Sequence, residues 1–138
     1  MVLTVLLGIL WSREPAPFDV RQHALDAAGG NAERLVPGYV TSATLIQLAQ
    51  TLLDKPGGYL SNDVMPPGLY LDNLPSWEFG VLIQVRDGTR SLRNDFSRSQ
   101  TQSSENKHIA RAQPHFNYDA HSWILPSSES EFSKGIDA

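Results

Sequence analysis

Leu52-Leu53-Asp54-Lys55-Pro56-Gly57-Gly58-Tyr59-Leu60-Ser61-Asn62-Asp63 decides how this chain folds. Upstream of it, Leu45, Leu48, Ala49, Leu52 and Leu53 fall at i, i+3, i+4, i+7 and i+8. That spacing predicts a helix over residues 41–54 with one apolar face, and Thr41 or Ser42 suits its N-cap. Pro56 disfavours helical geometry at Lys55, and Gly57-Gly58 allow a sharp departure, so the helix stops there. From Gly57 to Pro75 no helix is expected, because Pro66-Pro67-Gly68 forbids one. Leu69-Tyr70-Leu71 suits a short extended piece before an Asp72-Asn73 turn. Tyr59, Leu60, Val64, Met65, Leu69, Tyr70, Leu71 and Leu74 make the connector too apolar for a loose loop. It reads as an ordered segment pressed against two helices.

The second of those helices is expected over residues 76–97. Pro75 suits its first turn, and Glu78 favours the positive end of its dipole. Leu82, Val85, Thr89, Leu92 and Phe96 keep helical spacing, widened early by Phe79, Val81 and Ile83. Gly88 costs about 1 kcal/mol there relative to alanine, so it marks a bend or a close contact. After the polar Ser97–Ser104 run, a helix over 105–112 is expected, capped by Ser104 and stopped before Pro114. Phe116, Tyr118, Trp123, Ile124 and Leu125 then read as an aromatic return segment packing on the core. Ser128-Glu129-Ser130-Glu131 is a capping box that opens a last helix over 128–138. The fold class is mainly α, amphipathic helices joined by long ordered loops. The last helix ends after two turns, so the chain reads as truncated at its C-terminus.

The bounds from composition agree. A chain of 138 residues with 41% hydrophobic and 19% charged residues has room for one modest core. A net charge of -4 argues against a general nucleic-acid binder, which needs clustered positive charge. No cysteine is present, which excludes disulfides, a thiol nucleophile and a cysteine-rich zinc site. The N-terminus departs from this average: Met1–Trp11 is apolar and uncharged until Arg13-Glu14. A spanning helix needs roughly 20 such residues, and a secretory signal needs a basic start and a cleavage site. Residues 1–11 therefore read as part of a transmembrane or signal-anchor segment, with Trp11 at the interface and Arg13 among headgroups. A buried N-terminal helix or strand is the alternative. Residues 12–40, broken by Pro15, Pro17 and Gly29-Gly30, read as a tether with a short helix near Phe18–Ala28. Residues 41–138 form the helical domain.

Constellations able to carry chemistry are weak. His115, Asp119 and His121 offer ligand types that zinc accepts, but at no specific spacing, so no metal is expected. Asp54, Asp63 and Asp72 are able to converge for acid–base work only if the connector brings them together. Nucleophile elbows, phosphate-cradling loops and paired zinc histidines are missing from the sequence. No cofactor is expected either. Arg86, Arg90 and Arg93 form a basic stripe on the second helix, with Arg98 beyond. Asp87 and Asp95 interleave, which suits a solvated, ion-paired face; contact with lipid headgroups or an acidic partner is the functional reading. Trp77, Glu78, Arg86, Arg90, Arg93 and Arg98 are the interaction candidates.

Several strings resemble a bacterial family called domain of unknown function 2333. They are Leu52–Asp63, Pro66-Pro67-Gly68, Leu71-Asp72-Asn73, Trp77–Leu82, Arg86-Asp87, Asp95–Gln100 and Trp123-Ile124-Leu125-Pro126, with Trp11–Pro15 similar to that family's membrane junction. Gly88-Thr89 departs from the better helix formers expected there, and His115 and His121 are not required by the pattern. The resemblance implies a longer protein with one N-terminal transmembrane helix and a mostly helical periplasmic domain in Gram-negative bacteria, so this chain is expected to be a fragment. It implies no catalytic residues. The expected function is therefore a single-pass inner-membrane protein acting through envelope protein contacts, with no nucleic-acid partner. The alternatives are a hydrolase using Asp54, Asp63 or Glu78 on an envelope component, and a soluble orphan domain.

Overall fold

A computed structural model of the chain describes residues 1–98 and 106–138, the side chains of 96–98 excepted. The described residues form six α-helices and no strand: α1 (Val2–Trp11), α2 (Val20–Ala27), α3 (Tyr39–Asp54), α4 (Asn73–Arg98), α5 (Lys107–Phe116) and α6 (Ser128–Asp137). Single 3-10 turns cover Ala32–Arg34 and Gly68–Tyr70. The mainly α reading therefore holds. No helix among the described residues is long and apolar enough to cross a membrane.

Helix α4 is the axis of the fold, packed between α3 and α5, while α6 closes on α5 and α3 and α2 lies on α3. Among its described side chains Leu74, Glu78, Leu82, Val85 and Thr89 are buried, a stripe at i, i+4, i+8, i+11 and i+15. Leu82 and Val85 meet Ala49 and Leu52 of α3, Phe116 of α5, Phe132 of α6, and Tyr59 and Ala120 from the loops. Tyr59 and Phe132 meet edge to face at 5.4 Å between ring centroids. Gly88 is a close contact rather than a bend: a Cβ there would lie 2.7 Å from Leu45 Cδ2 of α3.

Several boundaries differ from expectation for local reasons. Helix α3 begins at Tyr39, with Gly38 as N-cap at φ +89°, so Thr41 and Ser42 lie inside its first turn. Helix α5 starts at Lys107 because the Asn106 side chain accepts from the N–H groups of His108 and Ile109 at 3.0 and 3.4 Å. It runs through Pro114 to Phe116. Pro114 removes the N–H that would bond Ala110 O, yet the helix continues past it for two residues, so the expected stop before Pro114 does not occur. The predicted cap Ser104 and first residue Glu105 lie outside the described residues. In α6 the cap is Ser127, accepting from Ser130 N at 3.3 Å. Ser128 is instead fully buried, its hydroxyl 2.7 Å from Asp119 O and 3.1 Å from Ser122 O. Leu69 and Tyr70 belong to a 3-10 turn, and only Leu71 is extended.

Two expectations of burial fail in an informative way. In the connector, Tyr59, Leu60 and Leu74 are buried, but Val64, Met65, Leu69 and Tyr70 are exposed. In the return segment Phe116 is buried, whereas Trp123, Ile124 and Leu125 face solvent. At the N-terminus, α2 is capped by Asp19, whose carboxylate accepts from Gln22 N at 2.7 Å, and Ala24 and Ala28 are buried. The stretch expected as a tether thus contains a helix docked on α3. Helix α1 contains no buried residue, so it is not a core element. It touches the fold on one side only: Trp11 lies over Gly57, Gly8 faces Pro67, and Asn73 Nδ2 donates to Ser12 O at 3.1 Å.

Candidate functional site

The polar centre of the molecule is built where the connector crosses the start of α4. Glu78 occupies a core position of the α4 stripe, and its side chain is fully buried beside that of Lys55. A lone carboxylate cannot be buried at tolerable cost, so both of its oxygens must be satisfied. Lys55 Nζ pairs with Oε1 and also donates to Gly58 O. Oε1 accepts from Leu60 N at 2.8 Å. Oε2 accepts from Ser61 N at 2.8 Å and from Ser61 Oγ at 2.5 Å. Lys55 reaches this position because α3 ends there in extended geometry and Gly57-Gly58, both at positive φ, fold the chain back over its side chain. Gly57 also has no room for a side chain, since a Cβ would lie 2.8 Å from the Trp11 ring.

The network continues to the other half of the fold. Asn62 Nδ2 donates to Ser122 O and to Glu129 Oε2, each at 2.9 Å. Tyr59 Oη donates to Ala120 O at 3.0 Å, and burial pushes its phenol up to about 12. Asp63 sits against Gly68, where a Cβ would strike its carboxylate. Burial raises the Asp63 carboxyl first, and the charges of Glu129 and Glu78 add to that, with Lys55 opposing. Asn62 Oδ1 is buried without a partner among the described residues. Together these contacts join the end of α3, the connector, α4, the 119–122 loop and the start of α6. Their chemistry is that of a clamp: both Glu78 oxygens are engaged, and Lys55, Glu78, Tyr59 and Asn62 each hold a backbone group of the connector or of the 119–122 loop.

The interaction candidates divide accordingly. Trp77 is half-buried against the core and Glu78 belongs to the clamp. Arg86 Nε and Nη2 donate to Phe116 O and Tyr118 O, both at 2.7 Å, closing the end of α5. Arg93 Nη1 donates to Gln113 Oε1 of α5 at 2.5 Å. Arg90 is exposed, 4.0 Å from Asp87. The Arg98 side chain lies outside the described residues. The expected basic stripe is therefore divided, two of its arginines facing α5 and one facing solvent. Asp54 and Asp72 are exposed, apart from the half-buried Asp63. No group of three or more His, Asp or Glu among the described residues is placed to hold a metal ion. His115 pairs instead with Glu131 at 2.8 Å, and His121 lies 3.9 Å from Asp119.

A family model described as "Uncharacterized protein conserved in bacteria (DUF2333)" matches residues 1–138. The chain belongs to this family. No curated protein and no solved structure matches it. In this DUF2333 chain, the strings Leu52–Asp63 and Trp77–Leu82 that carried the resemblance are the ones that build the clamp: Lys55, Gly57, Gly58, Ser61, Asn62 and Glu78 all lie within them.

One opening lies beside this centre and another farther along α4. A cleft of about 410 Å³ lies beside the clamp, between Tyr59, Ser61, Phe79 and the Ala120-His121 turn. An apolar groove of about 390 Å³ runs between α3, α4, α5 and α6, lined among others by Leu45, Ile46, Leu92, Ile109 and Ile136. Sequence reasoning missed the clamp, although one signal was present: Glu78 falls in line with Leu74 and Leu82 on the buried stripe.

Proposed function

We propose that this DUF2333 chain is a membrane-associated protein of the bacterial envelope, attached through α1 and acting by contact with other envelope proteins. The proposed location is the periplasmic face of the inner membrane. The observation that carries the reading is the inverted character of α1. Its solvent-facing side consists of Val2, Leu3, Val5, Leu6, Ile9 and Leu10, all large and apolar. At 100° per residue they cover an arc of about 160°. The side turned to the domain carries Thr4, Leu7, Gly8 and Trp11, all half-buried, and it holds the helix's one hydroxyl and its one glycine. A helix that shows water its greasiest face has another medium in view, since exposed apolar patches of this kind mark interaction surfaces.

Carboxylate catalysis is disfavoured by the clamp. Glu78 is closed to solvent with both oxygens engaged, and Asp54 and Asp72 do not join it. The polar residues of the connector stiffen a scaffold, which suits a protein that works through its surface.

Cell fractionation tests the reading. The chain expressed in a Gram-negative host is expected in the membrane pellet, released by detergent and not by high salt. Replacing Leu6 and Ile9 by glutamate, both exposed and so without cost to the fold, is expected to move it to the soluble fraction. A wild-type chain found in the soluble cytoplasmic fraction would overturn the proposal.

A further inference from the structure

We infer that the chain meets the bilayer with three segments, the tips Val64–Tyr70 and Trp123–Leu125 entering the headgroup boundary beside α1. The domain is then held in one orientation on the lipid surface. This rests on reading α1 as the attachment.

Three observations carry it. First, the segments share a support. Helix α1 lies on the connector through Gly8, where an added Cβ would come within 3.6 Å of Pro67 Cβ, and through Asn73 bonded to Ser12. The second tip hangs from the same connector, because Asn62 holds Ser122 O and Tyr59 holds Ala120 O. The clamp therefore fixes both tips relative to α1. Second, the charge is excluded from all three. The sequence holds 11 Lys/Arg and 15 Asp/Glu, yet Met1–Ser12, Val64–Leu71 and Ser122–Ser128 contain none of them. An uncharged surface complements the hydrocarbon boundary, where each charge carries a desolvation cost, while the exposed Arg13, Glu14 and Asp72 at its margins stay with water and headgroups. Third, the side chains project far into solvent. Leu125 is 90% exposed, Tyr70 77%, Ile124 75% and Met65 66%. Apolar tips this prominent do not form the flat, packable patch of a protein interface. A fluid medium closes around them, and Trp123 and Tyr70 at the tips have the amphipathic rings that settle at headgroup level.

The absence of cysteine makes the test direct. Single-cysteine variants of the full chain at Leu6, Met65, Ile124 and Arg90 carry an environment-sensitive fluorophore, mixed with phosphatidylcholine vesicles containing brominated lipid. Arg90 is the control, exposed and 17 residues along α4 from Asn73, about 25 Å at 1.5 Å per residue. Labels at positions 6, 65 and 124 are expected to shift to the blue and be quenched by the brominated lipid, with position 90 unchanged. The I124S/L125S variant is expected to partition roughly tenfold more weakly, the scale set by two apolar side chains returned to water at the edge of the bilayer. If only position 6 responds, the attachment stands and the three-segment contact is wrong. If no position responds, both readings fall. Blue shifts at 65 and 124 that grow with protein concentration in the absence of vesicles would assign the tips to a second copy of the chain and overturn the inference.

Discussion

Replacing Lys55 by methionine is the sharpest probe of the clamp. Methionine keeps the length and apolar stem of the side chain but removes the ammonium that faces Glu78. The carboxylate is then a buried charge without its counter-ion, because the two side chains are 1% and 0% exposed. Removing one partner of such a pair costs about 3–5 kcal/mol. Here the lower end applies, near 3 kcal/mol, since Glu78 keeps Leu60 N, Ser61 N and Ser61 Oγ as donors. Glu78→Ala falls at the upper end, about 5 kcal/mol, because it strands Lys55 and orphans two buried N–H groups while opening a cavity. Against a total stability of about 5–15 kcal/mol, both losses are large. Urea unfolding followed by circular dichroism reads them directly. With a slope of about 1–3 kcal/mol per molar, Lys55→Met moves the midpoint down by roughly 1–3 M. The combined variant is expected to lose less than the sum of the two, by about 0.5–3 kcal/mol, since the second change removes a charge already uncompensated. Losses under about 1 kcal/mol in both single variants, or strict additivity, would mean that the pair behaves as a screened surface bridge and that the clamp does not hold the connector.

Three further outcomes follow from the same geometry. Asp63→Asn is expected to stabilise the fold at neutral pH. Burial raises the native carboxyl above its ordinary 3.8, so the penalty is present above the raised value and disappears as the pH falls to 3.8, where the variant and the wild type converge in a stability–pH series. Glu131→Gln has the opposite profile: Lys134 and His115 lower the native carboxyl below 4.5, so its stabilisation is present above 4.5 and is lost on acidification through the lowered value. Unfolding midpoints measured from neutral to acid pH are expected to show the wild type ahead at the neutral end only. Gly57→Ala is expected to cost more than Gly29→Ala in thermal melts, because both sites have positive φ but only at Gly57 does the new Cβ meet Trp11, at 2.8 Å. Trp11 emission should shift to the red in the Gly57 variant alone.

Helix existence was legible because apolar spacing reports which face a helix buries: Ala49 and Leu52 of α3, Leu82 and Val85 of α4 and Phe132 of α6 are buried as their spacing marks, whereas Phe79, expected to widen the α4 face, is exposed. Boundaries were less legible, since they turn on which single side chain reaches the free N–H groups: Asn106 caps α5, and Ser127 rather than Ser128 caps α6. The division of the connector into buried and exposed halves was not legible. Tyr59 and Met65 are both apolar, and only the tertiary path decides that one meets Phe132 while the other meets solvent. The arginine stripe was legible as a stripe, but its use was not. Two of its members cap and bind α5, a helix that approaches from distant sequence.

Glu78 shows how the two levels join. Read locally, an acidic residue in the first turns of a helix favours the dipole, which explains its presence without reference to any neighbour. Read on the stripe, it interrupts Leu74 and Leu82 at a position that must be buried, and a buried carboxylate obliges the rest of the chain to supply a cation and donors. Lys55 supplies the first, and the turn at Gly57-Gly58 brings Leu60 N and Ser61 N within 2.8 Å to supply the second. That demand specifies the path of the connector more tightly than apolar burial alone, because hydrophobic contact tolerates sliding and three directed hydrogen bonds do not. With the path fixed, Asn62 and Tyr59 are placed to hold the 119–122 loop, and Gly57 and Pro67 to seat α1. The exposed apolar segments are thus positioned by a network whose central pair, Lys55 and Glu78, is closed to solvent. A change at Glu78 is therefore expected to disturb surface contacts some distance from it, and a loss of binding in such a variant is evidence for the clamp as scaffold rather than for Glu78 as a contact.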